Sequence, residues 1–361
     1  MSTITARRVL TSQGWVGASR LSVDDDGIIV GIDRTDASAT HGSVVPGFVD
    51  LQVNGIDDVD VARAEGNEWA RLADLLLDQG VTSWCPTLVS APLHRYDNAL
   101  RRIAEAQRRA GPAMLGVHLE GPFLGGAPGA HPRDLLAAID LEWLGALPDV
   151  VRLVTLAPEL AHAVEAIELL VRRGIVVSLG HSTPSLAQTA AAIDAGATMA
   201  THLFNAMSGV HHREPGLAAV ALTDDRLTVG LIADLIHVHP LALELAFRAK
   251  SADRTVLVTD AVAWRAGTAG AVGMQLRDGA PRLTDGTLAG SALTMDEAIR
   301  NVVNHCRIPL EQAIRSASTN PARLMGCNDR GRIAIGQRGD LVELDDEMKV
   351  AAVWLGGVRA R

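Results

Sequence analysis

The sequence predicts an α/β protein: a (β/α)8 TIM-like barrel with a small β-sandwich domain built from both chain ends. Three observations carry that expectation. Between residues 47 and 326, eight short apolar runs alternate with helical segments, the rhythm of repeated β/α units. Both chain ends read instead as short β pieces separated by Gly and Asp turns. Several of the central runs close on a lone Glu, His or Asp, at the strand end where barrels keep their chemistry.

In chain order, RRVLTSQGWV, ASRLSVDDDG and IIVGIDRTD read as a small antiparallel sheet up to about residue 45. The C-terminal GRIAIGQRGDLVELDDEMKVAAVWLGGV answers it. Residues 1–46 with 327–361 should therefore form the small domain, and 47–326 the barrel. The barrel strands are expected at 47–53, 82–88, 113–119, 151–156, 175–179, 198–203, 227–233 and 255–259. Helices are expected at 68–79, 96–109, 134–147, 160–173, 186–195, 241–250 and 293–306, with only a short one after Pro215. A doubly wound open sheet fits the same periodicity. SASTNPARLMG then leads back to the terminal sheet.

Composition narrows the function. With 361 residues at 48% hydrophobic, the chain can bury one large core with a small companion. A net charge of −9 argues against a nucleic-acid surface. No run of 18 apolar residues appears and MSTITARRVL lacks an apolar signal core, so a cytoplasmic protein away from membranes is expected. Cys85, Cys306 and Cys327 show no paired spacing, which points to neither a disulfide framework nor a zinc ribbon. The only lysines are Lys250 and Lys349, placed where neither a Schiff base nor a lysine-bridged metal pair could form in the barrel.

The chemistry gathers at the strand ends. V-H-L-E-G-P-F at 117–123 is an apolar strand that delivers Glu120 where the loop begins. G-H-S ends a strand on His181 and T-H-L-F-N-A-M ends the next on His202, one β/α unit later. One carboxylate and two imidazoles from separate strands suit a three-ligand catalytic metal site with an open position for water. Asp260 closes the eighth strand in V-L-V-T-D-A, as a fourth ligand or, preferably, a general acid/base. Gln52 and Asn54 share one face of the first strand where histidines would make a second metal site; neutral amides are poor ligands, so one divalent ion per chain is expected. In the following loops, Arg213 suits an anion such as phosphate, and His131 and His237 suit a carbonyl or hydroxyls. His211, His212 and His239 read as surface residues, while Asp50 and Asp234 carry no assignment.

Taken together, PGFVDLQVNG, HLEGPF, GAH, VRLVTLAPE, GHS, THLFNAM, HREPG, HVHP, VTDA, DGTLAGSALTMDEA and STNPARLMG resemble the amino-sugar phosphate deacetylase branch of the amidohydrolase superfamily. The motifs fall in family order from about residue 44 to residue 340. The resemblance implies hydrolysis of N-acetyl-D-glucosamine 6-phosphate to D-glucosamine 6-phosphate and acetate. It implies Glu120, His181 and His202 as ligands of one divalent metal, zinc first, with iron, manganese or cobalt as alternatives. It also implies Asp260 as acid/base and His131 on the acetyl carbonyl. Asn205 and Ala206 would meet the phosphate through backbone N–H groups, and His237 would bind the sugar. Arg213 would reach the partner's site in a homodimer. Three places depart from the pattern: Q-V-N at the first strand, which looks like the single-metal branch; G-I-D-D-V-D at 55–60; and an altered, short loop at 261–273, with Leu235 where glycine is usual. The last two border the sugar pocket, so N-acetylgalactosamine 6-phosphate or another N-acylated amino sugar stands as an alternative substrate.

Overall fold

The computed structural model describes residues 1–36 and 38–361. Eight parallel strands form the central layer: β1 (Phe48–Val53), β2 (Val81–Val89), β3 (Val117–Glu120), β4 (Val151–Leu156), β5 (Val176–Leu179), β6 (Met199–Ala200), β7 (Thr228–Leu231) and β8 (Thr255–Leu257). Each pairs with the next in sequence, from β1 to β8. All six residues of β1 are buried, as befits a strand covered on both faces. The circle closes beyond the regular ladder: the Asn54 and Gly55 N–H groups donate to the Ala261 carbonyl at 2.8 and 3.1 Å. Below that junction, Thr259 Oγ1 donates to the buried Asp50 carboxylate at 2.6 Å, tying the end of β8 to β1. An (β/α)8 barrel results.

The third strand is split. Ala113–Met114 pairs with Ser83–Trp84, the chain breaks at Gly116 (φ 135°), and β3 resumes beside Thr87–Val89. Inside the barrel, beneath the strand ends, runs a side-chain chain of hydrogen bonds. His118 Nε2 meets Thr155 Oγ1 at 2.8 Å, Thr155 meets Thr201 at 2.8 Å, and Ser178 meets Thr201 at 2.5 Å. These buried groups satisfy one another where a single unpaired one would be costly.

The outer helices follow their apolar spacing. Leu93–Ala106 buries Tyr96, Ala99, Leu100, Ile103 and Ala106, one stripe along its length. Leu186–Asp194 starts at a reciprocal cap between Ser185 and Gln188. The helix expected at 134–147 is a correction: only a 3-10 turn (Arg133–Leu135) and a five-residue helix (Leu141–Gly145) form there. Pro132 stands before the turn, the Ala137 N–H donates to the Pro122 carbonyl, and Asp140 starts the short helix by accepting from the Trp143 N–H. Those bonds hold the intervening stretch extended.

The chain ends make one eight-stranded sheet, ordered Val358–Arg359, Val350–Leu355, Leu341–Leu344, His41–Pro46, Ser2–Thr11, Ser19–Val23 and Ile29–Arg34, with Gly14–Val16 beside Ser2–Thr11. It is mixed rather than purely antiparallel, because Ser2–Thr11 and His41–Pro46 run parallel. The sheet curls over its own core of Ile4, Leu21, Ile29, Leu341 and Trp354. Its edges nearly meet: a Cβ on Gly27 would lie 2.9 Å from the Gly356 Cα. Among the described residues, no helix is long and apolar enough to cross a membrane.

The sequence predicts no strand or helix between β8 and the helix at 293–306. Residues 261–290 carry two small hairpins, Thr268–Ala269 with Val272–Gly273, inside the altered 261–273 loop, and Gln275–Arg277 with Ala280–Arg282. They fold over the barrel's C-terminal end and pack a separate apolar cluster there.

Candidate active site

Three strands set three polar atoms almost in contact. Glu120 Oε1 lies 3.1 Å from His181 Nε2 and 3.0 Å from His202 Nε2, and the two Nε2 atoms are 3.0 Å apart. His181 Nδ1 faces the Pro128 carbonyl at 3.1 Å, an acceptor, so Nδ1 carries the ring proton and Nε2 is a bare lone pair. Lone pairs converging on a carboxylate oxygen repel unless a cation sits among them, so this donor set fits a divalent metal. His202 Nδ1 is buried with no partner.

His131 competes for the third ligand place, since ligand atoms of Glu120, His131 and His181 also lie within 4.8 Å of one another. Its Nε2 is 4.0 Å from Glu120 Oε2, a full ångström farther than His202. Its protonation also differs. The Ser90 N–H, which can only donate, faces His131 Nδ1 at 3.4 Å, and Ser90 Oγ lies 2.8 Å from the same atom. Nδ1 is then the acceptor and Nε2–H points into the site as a donor. Burial pushes the His131 pKa down to about 3, keeping the ring neutral. His202 thus lies closer to Glu120 than His131 does, and His131 turns an N–H rather than a lone pair toward the cluster.

The two carboxylates are driven apart. Burial opposes the ionised form of Glu120; with protons rather than a metal on the Nε2 atoms of His181 and His202, the hydrogen bonds and positive charge of those rings overcome it and hold its pKa well below the usual range. Asp260 goes the other way: burial, then the charge of Glu120, raises its pKa well above the usual carboxylate value. Carboxylates split in this manner are suited to different roles, one as ligand and one as proton carrier. Gln52 joins them: its Nε2 donates to Glu120 Oε1 at 2.9 Å and to Asp260 Oδ1 at 3.0 Å. Asn54 Nδ2 donates to the same Asp260 oxygen at 2.8 Å. The amide thus spans the place where a second cation would bridge the carboxylates.

His181, His202 and Asp260 all take positive φ, at 51°, 26° and 49°. Non-glycine residues in that region mark backbone strain, which collects at functional sites. The turn after His202 continues it, with Phe204 at 78° and Ala206 at 48°.

A cavity of ≈ 210 Å³ opens above this floor, lined by Glu120, His131, His181, His202 and Asp260 and reached by Asn205, Ala206 and His237. The Asn205 N–H is already taken by the His202 carbonyl, whereas the Ala206 N–H has no partner among the described residues. His237 Nδ1 pairs with Asp234 Oδ2 at 2.6 Å, which aims the opposite ring edge at the cavity. Asp234 also accepts from the N–H groups of Ile236 and His237, so its role is to shape that loop. The D-x-x-H spacing could have revealed this pair; nothing local in the sequence marks Ser90. Arg213 is exposed and lies outside the cavity of its own chain. His239 accepts from the Leu241 N–H at a helix start, a capping role.

The two segments that depart from the family pattern meet each other. Asp60 accepts from Thr268 Oγ1 at 3.1 Å and from the Gly270 N–H at 2.9 Å, and Arg265 Nε lies 2.9 Å from Asp57 Oδ1. Leu235, where glycine is usual in the family pattern, holds φ 64°, the conformation for which glycine is suited.

Known proteins resemble this chain along nearly its whole length. Residues 43–360 match the Amidohydrolase family. An Escherichia coli O157:H7 protein named N-acetylgalactosamine-6-phosphate deacetylase is 38% identical over 370 residues, covering 98% of each chain. A Bos taurus N-acetylglucosamine-6-phosphate deacetylase is 42% identical over 340 residues, covering 87% of this chain and 82% of its own. Among solved structures, a mutant N-acetyl-D-glucosamine-6-phosphate deacetylase from Mycobacterium smegmatis, in complex with N-acetyl-D-glucosamine-6-phosphate, superposes with a TM-score of 0.92 at 36% identity. It covers 99% of this chain and 98% of that one.

Proposed function

The chain belongs to the Amidohydrolase family, and we propose that within it the protein hydrolyses N-acetyl-D-glucosamine 6-phosphate to D-glucosamine 6-phosphate and acetate. The observation that carries this reading is the meeting of Glu120, His181 and His202 at one point, with the Asp260 carboxyl beside them, joined to Glu120 through Gln52. The names of the relatives supply the substrate class. N-acetylgalactosamine 6-phosphate is the second reading, favoured by the E. coli relative that matches 98% of the chain.

One divalent cation per chain, zinc first and iron, manganese or cobalt as alternatives, held by Glu120, His181 and His202, would supply Lewis-acid polarisation and acidification of water. The remaining work belongs to the chain. Asp260 accepts a proton from the attacking water and delivers it to the nitrogen as the C–N bond breaks, so the sugar leaves as a neutral amine. The water oxygen ends in acetate. His131 donates from Nε2 to the carbonyl oxygen as negative charge builds there, a contribution on the order of 3 kcal/mol for one well-placed donor. Ala206, through its N–H, and Asn205 hold the phosphate, and His237 takes a sugar hydroxyl. Gln52 and Asn54 keep the second metal position closed.

We also assign residues 1–46 with 327–361 to the small domain and 47–326 to the hydrolase domain. The protein acts as a homodimer in which Arg213, exposed and outside its own cavity, completes the partner's phosphate site. Three free cysteines suit a cytoplasmic location.

The deciding measurement is acetate release from N-acetylglucosamine 6-phosphate, its N-acetylgalactosamine epimer and unphosphorylated N-acetylglucosamine, with and without a chelator. Chelator-sensitive release from the first, above the other two, is expected. Release from none of them removes the deacetylase reading.

A further inference from the structure

The cavity has two unlike sides. Its floor is the polar cluster already described. The opposite side is apolar: Val262, Ala269, Val272, Met274 and Ala289 form a cluster separate from the barrel core, with Val89 and Ala130 packed against it. Val89 and Ala130 directly precede Ser90 and His131, so the apolar side begins beside the His131 ring, whose Nδ1 Ser90 holds.

That placement sorts the three substituents of an amide carbon, which point apart in one plane. With the oxygen at His131 and the sugar nitrogen directed toward Asn205 and His237, the remaining direction is the hairpin. Resting on the deacetylase reading, we propose that the hairpin surface of Ala269, Val272 and Met274 receives the alkyl end of the acyl group and selects short apolar acyl groups, with Val272 setting the length accepted.

The surface is held firm enough to discriminate. The Thr268–Gly273 hairpin is pinned by Asp60 through Thr268 Oγ1 and the Gly270 N–H, and Arg63 Nη2 donates to the Gly270 carbonyl at 2.7 Å. A second tether joins the Arg265 N–H to the Asp57 carbonyl at 2.7 Å. The side chains of Ala269, Val272 and Met274 offer no strong hydrogen-bonding atom. A hydroxyl on the acyl chain would therefore lose water without replacement.

The experiment compares kcat/KM for N-acetyl, N-propionyl and N-glycolyl glucosamine 6-phosphate in the wild type and in Val272→Ala and Val272→Thr. Propionyl and glycolyl groups are nearly equal in size and differ in polarity. Val272→Ala should raise the propionyl-to-acetyl ratio by about 10-fold, the usual worth of one methylene in an apolar pocket. Val272→Thr should move the propionyl-to-glycolyl ratio toward glycolyl by about 3-fold or more. Intrinsic amide reactivity cancels between wild type and variant, so the change in ratio isolates the surface. Should either variant fail to fold, as judged by its melting curve, Met274→Ala and Met274→Gln take its place with the same expectations. Folded variants with unchanged ratios, or with all acyl substrates slowed equally, would overturn the assignment and place the sugar ring against the hairpin. A wild type that releases no acetate from the N-acetyl substrate would instead defeat the deacetylase reading itself.

Discussion

The floor of the cavity and the hairpin above it are built by opposite means. The floor is polar, buried and strained: Glu120, His181, His202 and Asp260 sit at strand ends, and three of the four hold positive φ. The hairpin is apolar, lies in a loop region, and is fixed by a few bonds to residues 57–63. A closed parallel sheet brings the ends of distant strands together whatever the loops do, so the groups needed for bond breaking belong there. Choice of substrate can then vary in a segment whose changes leave the ladder untouched. If that division holds, floor substitutions should remove chemistry or metal, and hairpin substitutions should change recognition while leaving turnover nearly intact.

The largest effects are expected on the floor. Glu120→Gln should lose most of its metal, and wild-type protein should carry about one divalent ion per chain by elemental analysis. Two ions per chain would contradict the closed second position at Gln52. Asp260→Asn should keep its metal and lose kcat by roughly 10²- to 10⁴-fold, since an amide cannot carry the proton. A metal-poor Asp260→Asn whose activity returned with added metal would make Asp260 a ligand instead.

These floor residues were legible because each ends an apolar run, and because His181 and His202 are 21 residues apart, about one β/α unit. The supporting residues were not. Ser90 orients His131 across 41 residues of chain, and Asp60 grips Gly270 across 210; no local pattern encodes either. The hairpin strands of two or three residues are too short for alternation to register. The run L-L-A-A-I-D-L-E-W-L-G-A-L has helical spacing, yet a tertiary bond from Ala137 to Pro122 and the Asp140 cap override it.

A second difference concerns pH. Burial pushes the pKa of His118, beneath the floor, down to about 4, against ~6.5 in an unfolded chain. The unfolded chain takes up this proton between pH 6.5 and 4 and the folded one does not. The stability present above pH 6.5 is therefore lost on acidification, by about 3 kcal/mol near pH 4 from this group. Urea midpoints for His118→Gln, with chelator present throughout, should fall less between pH 7 and 4.5 than those of the wild type. Val272→Ala should keep the wild-type slope, because the hairpin surface contributes no titrating group. Equal slopes for wild type and His118→Gln would mean that His118 is not what makes the floor acid-sensitive.

The smallest effect tests the tether. Asp60 accepts from the Ala62 N–H through one oxygen and from Thr268 Oγ1 and the Gly270 N–H through the other. Asp60→Ala removes all three acceptor contacts and leaves the hairpin held mainly by Arg63 and Arg265. The loss of stability should be about 1–2 kcal/mol, since the freed donors are near enough to the surface to find water. A loosened hairpin presents its apolar surface to the substrate only part of the time, so apparent affinity falls by the fraction of time it is in place. KM should rise about 3- to 10-fold, while kcat, which the proposed mechanism places on Asp260, His131 and the metal ligands below, should stay within about 2-fold of wild type. Asp60→Asn keeps one acceptor oxygen and should recover part of the KM. A variant that loses kcat in proportion while holding KM would show that the hairpin aligns the reacting groups, and the separation of chemistry from recognition would fail at this joint.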